Sequence, residues 1–448
     1  MKILKAIILS LISLAGLNIE ADAQKIFPFP ISQKKLSNGL NVVSVEYPSP
    51  GLAAFYVIVR VGSREEVEPG KTGFAHFFEH MMFRGTERFP KEKYNAVLKS
   101  IGAAANANTW LDRTVYHMTG NAEKLDEMFD LESDRFMNLK YSVHDFKTEA
   151  GAVKGEYTKN FASPYEQIEE KTSDVAFEKH TYKHTTMGFW KDVVEMPNQY
   201  DYSLEFFKRF YKPEYATILV VGDVKAEKVN MLAERYFGKW NTGNYKAEIP
   251  LEPEQKSTRF AHIQNKNFPP YLSLNYKAPA YDDKNKDNAA LDIIGALLFS
   301  ERSDLYKKLV IEEQKLRSLQ GGAFFTRDPY LFSISGSFVK AEDMQSVKDE
   351  IVNAIEKIKT VPVNETLLSE TKSHMKYSLA MGLNSPTAIA ENLSYYIWLA
   401  GDPESFNRIY AMSDNINKED LMTVAKKYFT SEKLTLSTIS PAETSPVK

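Results

Sequence analysis

Along this chain the apolar positions fall into short runs with two different periods. Asn41–Tyr47 (NVVSVEY), Ala53–Gly62 (AAFYVIVRVG) and Ala216–Asp223 (ATILVVGD) are dense in Val, Ile and aromatic residues and read as strands. Leu125–Leu139 (LDEMFDLESDRFMNL) and Val229–Phe237 (VNMLAERYF) space their apolar residues as helices do. The two kinds of segment do not alternate strictly. The pattern therefore predicts an α+β fold rather than a doubly wound parallel sheet.

The pattern also repeats. Phe207–Asp223 (FKRFYKPEYATILVVGD) and Ala425–Pro441 (AKKYFTSEKLTLSTISP) both run from a basic helix end through aromatics and a short polar turn into a β-branched strand, 218 residues apart. His80–Gly85 (HMMFRG) parallels Ala296–Glu301 (ALLFSE) at nearly the same offset. Between the copies, residues 241–257 (NTGNYKAEIPLEPEQKS) are polar and contain proline, as a linker would be. The expected organisation is a duplicated domain, with copies at 24–240 and 258–448.

Residues 1–23 form a basic start, an apolar stretch too short to span a bilayer comfortably, and a small-residue site at Ala21-Asp22-Ala23. They read as a secretory signal peptide, so the mature chain is expected to be exported, periplasmic in a bacterium, and without a membrane span. The 448 residues are 43% hydrophobic and 26% charged, ample for more than one domain. A net charge of −3 offers no basic field for nucleic acid. The absence of cysteine excludes disulfides, thiolate metal sites, a cysteine nucleophile and a lipidated N-terminal cysteine.

One apolar run breaks the rule that such segments exclude polar side chains. Gly73–Arg84 reads GFAHFFEHMMFR. On a helix over Thr72–Arg84, His76 and His80 stand one turn apart on one face, where two imidazoles reach a single metal ion. In the second copy the corresponding positions are Asp292, Gly295 and Ala296, so only the first copy carries the polar set. Two histidines suit zinc, and a catalytic zinc takes a third protein ligand and a water. Glu79 leans toward the same face and could take a proton from that water. A third ligand is available downstream. Glu149 and Glu156 are seven residues apart, two helical turns, and face the same way. One could bind metal while the other orients a histidine or the water. His180 and His184 are also four apart, but no acid follows at ligand spacing and no metal is assigned to them.

The H-x-x-E-H motif with a glutamate further on resembles the signature of the pitrilysin and mitochondrial processing peptidase family, the inverzincins. The likeness extends to LSNGLNVVSVEYP, GTERFP, GAAANANTWLDRTVYHM and YKPEYATILVVGD, and so covers essentially the whole mature chain, its second half more weakly. It implies two homologous α+β halves, each a mainly antiparallel sheet with helices packed on it, forming a clam shell around a chamber. It implies zinc-dependent hydrolysis of peptides or unfolded segments. By position His76, His80 and Glu156 are then the zinc ligands, Glu79 the general base, and Glu149 the carboxylate behind the ligands. Asn106 and Ala107 match the family's edge strand, where a peptide adds as a further strand. The loop containing His180 and His184 resembles one that packs near the site.

Active members of the family commonly carry in a second half an arginine and, seven residues later, a tyrosine that stabilises the developing oxyanion. Anchored on Glu313-Gln314, those positions are Val310 and Arg317 here, and no such pair occurs in Leu305–Tyr330. The resemblance therefore implies the zinc-bearing subunit of a heterodimer whose homologous partner supplies the pair. The alternative is a non-catalytic scaffold or peptide-binding subunit with a structural zinc.

Overall fold

The computed structural model describes residues 26–448; the expected signal peptide lies outside the described residues. Among the described residues, eleven strands form two sheets. The first contains β1 (Ile31–Lys35), β2 (Asn41–Glu46), β3 (Leu52–Val59), β4 (Ala104–Trp110), β5 (Arg113–Asn121) and β6 (Ala216–Gly222), in the order β1-β2-β6-β3-β5-β4. The second contains β7 (Arg259–Gln264), β8 (Tyr271–Lys277), β9 (Leu316–Ala323), β10 (Leu331–Phe338) and β11 (Leu434–Ser440), in the order β7-β11-β8-β10-β9. Pairing is antiparallel except for β2 with β6 and β7 with β11. With β1 set aside, the two orders match strand for strand. The repeated sequence pattern ends in β6 and β11, each lying between one parallel and one antiparallel neighbour. Residues 241–256 carry no helix or strand.

The helices include α1 (Phe74–Met81), α2 (Val143–Asn160), α3 (Pro164–Ala176), α4 (Lys286–Phe299), α5 (Glu365–Gly382) and α6 (Pro386–Ala400). The helix expected over Thr72–Arg84 is shorter at both ends. Gly73 takes φ +90°, outside the helical range, and the far end tightens to bonds from Phe83 N to His80 O and Arg84 N to Met81 O. None of the helices among the described residues is long and apolar enough to cross a membrane.

The two halves interlock. Successive residues of β3 point to opposite faces. Ala53, Phe55, Val57 and Val59 join a core with Phe74, Phe77 and Phe78 of α1 and with the helices Leu125–Asn138 and Ala226–Phe237 of the same half. Ala54, Tyr56 and Ile58 join Ile389, Leu393 and Ile397 of α6, which comes from the other half. The exchange is reciprocal. Helix α3 of the first half lies on β7 and β11, with Ile168 against Ala261 and Ile439 and the Thr172 hydroxyl 2.7 Å from Ser437 Oγ. Strands covered on both faces read as unbroken apolar runs, as β3 and β6 do.

Polar ties reinforce the junction. Arg60 donates to the carbonyls of Trp398 and Leu399 at 2.9 and 3.1 Å. Asp328 accepts from Arg64 at 2.5 Å and lies 3.1 Å from His180 Nε2. Arg327 pairs with Glu65 at 2.9 Å.

Candidate metal centre and active site

Helix α2 begins at a capping box in which Ser142 and Asp145 satisfy each other's main-chain amides. Phe146, Ala150, Val153 and Tyr157 form its buried stripe, with the Phe146 ring 5.1 Å from Phe77 of α1. Glu149 and Glu156 flank that stripe on the side facing α1.

The structure brings His76, His80 and Glu156 together. His76 Nε2 and His80 Nε2 are 3.3 Å apart, and Glu156 Oε2 stands 3.4 Å from His80 Nε2 and 3.8 Å from His76 Nε2. Donors held 2.0–2.2 Å from a tetrahedral ion lie roughly 3.3–3.6 Å from one another, so this set fits a zinc-sized cation. The protonation of His76 fits as well. Burial, then the neighbouring His80, pushes the His76 imidazole down to about 4, leaving a neutral ring able to donate a lone pair. His80 Nδ1 lies 2.9 Å from Glu149 Oε1. With the proton held there, Nε2 presents its lone pair to the cluster. His76 Nδ1 is buried with no hydrogen-bond partner among the described residues.

Glu149 thus stands behind His80 rather than among the converging atoms. Its other oxygen is gripped by the Arg84 guanidinium. Burial opposes its ionisation, yet the bonds from His80 and Arg84 carry its pKa below the ordinary value. Sequence reasoning did not single out Arg84. Its available signal is position, four residues after His80. Glu79 sits on α1 between the histidines. Burial raises its pKa, against a bond from the Thr109 hydroxyl and the charge of His80.

Asn106 and Ala107 lie on β4, an outer strand of the first sheet, paired among the described residues only with β5. Helix α1 packs against this strand. Alternate main-chain N–H and C=O groups of β4 face its open side, as on any sheet edge. Asn106 is exposed and Ala107 buried. His180 and His184 are not in the candidate cluster: His180 meets Asp328, and His184 is buried near Glu66 beneath the start of α1. In the second half, Asp292, Gly295 and Ala296 lie on α4. Val310 falls in a π-helical turn, Lys307–Glu312, and Arg317 is exposed on the edge strand β9.

Residues 41–188 match the family described as Insulinase (Peptidase family M16), and residues 199–375 match the Peptidase M16 inactive domain. The chain is 29% identical to the zinc protease PqqE of Helicobacter pylori, over 97% of this chain and 98% of that one. A crystal structure of a protease from Helicobacter pylori superposes with a TM-score of 0.85 at 28% identity, covering 92% of this chain and all of that one. The periplasmic protease PqqL of Escherichia coli shares the fold, with a TM-score of 0.74 at 17% identity; the match covers 92% of this chain and 48% of PqqL.

Proposed function

This chain belongs to the pitrilysin and mitochondrial processing peptidase family, and we propose that it is a zinc-dependent endopeptidase acting on peptides or unfolded segments in an exported compartment. The observation that carries this reading is the convergence of two imidazoles and a carboxylate within 3.3–3.8 Å, one residue from Glu79 and beside an open strand edge.

In this reading His76, His80 and Glu156 hold the zinc. Zinc there would polarise the scissile carbonyl and ease deprotonation of a water in the remaining position. Glu79 takes the proton from the attacking water and passes it to the leaving amine, a transfer suited to a carboxylate with a raised pKa. Glu149, held by Arg84, keeps the His80 proton on Nδ1. The peptide aligns as an added strand along β4, where Asn106 and Ala107 lie beside α1.

A homologous partner completes the proposal. The halves of this chain are locked through exchanged helices, so a chamber that closes over a peptide calls for a second body. The Glu156 side chain is 38% exposed, and the segment Leu305–Tyr330 has no arginine followed seven residues later by tyrosine. We read the chain as the zinc-bearing subunit of a heterodimer whose partner supplies that pair and covers the site. Export rests on the pattern of residues 1–23 and on the likeness to PqqL, and the periplasm is the compartment proposed.

The test starts from the mature chain purified from its native host. Metal content is measured, and hydrolysis of a quenched peptide is followed with and without chelator, first for the chain alone and then with any co-purifying homologue. Zinc binding with weak hydrolysis alone, raised by the homologue and abolished by chelator, is the expected result. Full activity from a verified monomer or homodimer, unaffected by Arg317→Ala, overturns the partner. Peptide binding that survives Glu79→Gln, with no turnover by wild type under any condition, identifies a binding subunit instead.

A further inference from the structure

Two of the three metal donors sit on α1, a helix of eight residues, so the setting of that helix determines the site. Its first turn has no capping side chain, because the residue before it is Gly73. Its amides are met from outside the helix. Glu66, 3% exposed, accepts the Gly73 N–H on one carboxylate oxygen at 2.8 Å and the Ala75 N–H on the other at 2.7 Å. Burial raises the Glu66 pKa, against the two amides, which lower it. The loop from His184 to Phe189 braces the same end. The Thr72 hydroxyl donates to Asp192 Oδ2 at 2.7 Å and accepts the Phe189 N–H at 2.8 Å. A Cβ on Gly188 would lie 2.6 Å from Gly73 N, so the two backbones are in direct contact. His184 is buried beside them, its Nδ1 3.7 Å from Glu66 Oε2.

An ordinary cap comes from the residue next to the helix. Glu66 instead reaches in from the connection after β3. It grips two amides, the Gly73 N–H just before the helix and the Ala75 N–H in its first turn. A ring nitrogen about 6 Å from the axis moves about 1 Å for a 10° turn. Metal–ligand distances tolerate only about 0.2 Å.

We propose that Glu66 is a positioning residue for the metal centre: its buried carboxylate sets the rotation of α1, and with it the separations of His76 and His80 from Glu156. The inference rests on the metal-site reading above. Its test is Co2+ titration of the apo full-length mature chain, followed by the visible absorption of the bound ion, on preparations whose fold is verified by circular dichroism. Glu66→Gln keeps the shape but turns an amide NH2 toward a main-chain N–H. The expected result is Co2+ affinity weakened by about 10–100-fold, with an altered absorption band. Glu66→Asp keeps the carboxyl group but cannot span both amides, and it carries the test if the glutamine variant fails to fold; a smaller loss with the same change of band is expected. A folded variant with lowered thermal stability but wild-type affinity and band shape would show a purely structural residue and overturn the proposal. Wild type that binds neither Co2+ nor Zn2+ would overturn the metal-site reading, and this inference with it.

Discussion

Replacing Glu149 by glutamine tests the proposal that Glu156 binds metal while Glu149 stands behind it. Glu149 has two obligations: Oε1 is 2.9 Å from His80 Nδ1, and Oε2 accepts from Arg84. A glutamine of the same shape meets only one. If its oxygen faces His80, its NH2 faces the Arg84 cation. If it is flipped, its NH2 faces Nδ1 and drives the imidazole proton to Nε2, where it blocks metal binding. Loss of a contact behind a ligand typically costs 10–100-fold in metal affinity, about 1.4–2.7 kcal/mol. That is the size of one hydrogen bond to a charged group. Glu156→Gln removes a charged donor from the cluster itself, and its loss should exceed that of Glu149→Gln by at least about 10-fold. The assay is competitive zinc titration against a chromophoric chelator, with folding checked for each variant. Arg84→Met should reproduce much of the Glu149→Gln defect. The double variant Arg84→Met with Glu149→Gln should fall short of the sum, because both act on one arrangement. A greater loss from Glu149→Gln than from Glu156→Gln would mean that the two carboxylates have exchanged roles, and the reading of the centre would fail.

Glu79→Gln should lower peptide hydrolysis by at least about 100-fold while leaving zinc content unchanged, since the base is not a ligand; near wild-type turnover in a zinc-loaded preparation would remove Glu79 from that role. Asp328→Asn should destabilise the junction of the halves by about 1–3 kcal/mol at pH 7, measured by denaturant unfolding. Against burial, which would raise it, bonds from His180 and Arg64 hold the Asp328 carboxyl well below its ordinary value of 3.8. A depressed carboxylate contributes fully above its unfolded value and loses that contribution as pH falls through the folded one. The gap between wild type and variant should therefore persist from pH 7 down to about pH 4 and close only below it; a gap that closes near pH 6 would refute a depressed Asp328 as its source. Residues 24–257 expressed alone should aggregate, because the β3 face of Ala54, Tyr56 and Ile58 loses its cover from α6, and co-expression with 258–448 should restore solubility. A soluble, cooperatively folded first half would show that the exchanged helices are dispensable.

Much of this site is local, and what is local can be read from the chain itself. Two histidines four residues apart share a helix face in any tertiary setting, and so do two glutamates seven apart. A candidate metal-binding set, and its restriction to the first copy, could therefore be read from the sequence. The repeated strand-ending segments likewise marked the duplicated sheets. Periodicity says which face of an element is polar or apolar, but not what meets that face. Glu149 and Glu156 are alike in type and phase along α2; only the packing of α2 on α1 brings one oxygen within 3.4 Å of His80 Nε2 and sets the other carboxylate against Nδ1. The glutamate grip on the start of α1 and the Arg84 bond to Glu149 also join groups whose meeting no spacing rule specifies. The cover of β3 shows the same division. Its unbroken apolar run signals burial on both faces, while the helix that buries the second face stands more than 300 residues away in the chain. Local stereochemistry determined which side chains this protein could use together. The pairing of distant surfaces, decided by shape and burial over the whole molecule, determined which of them meet.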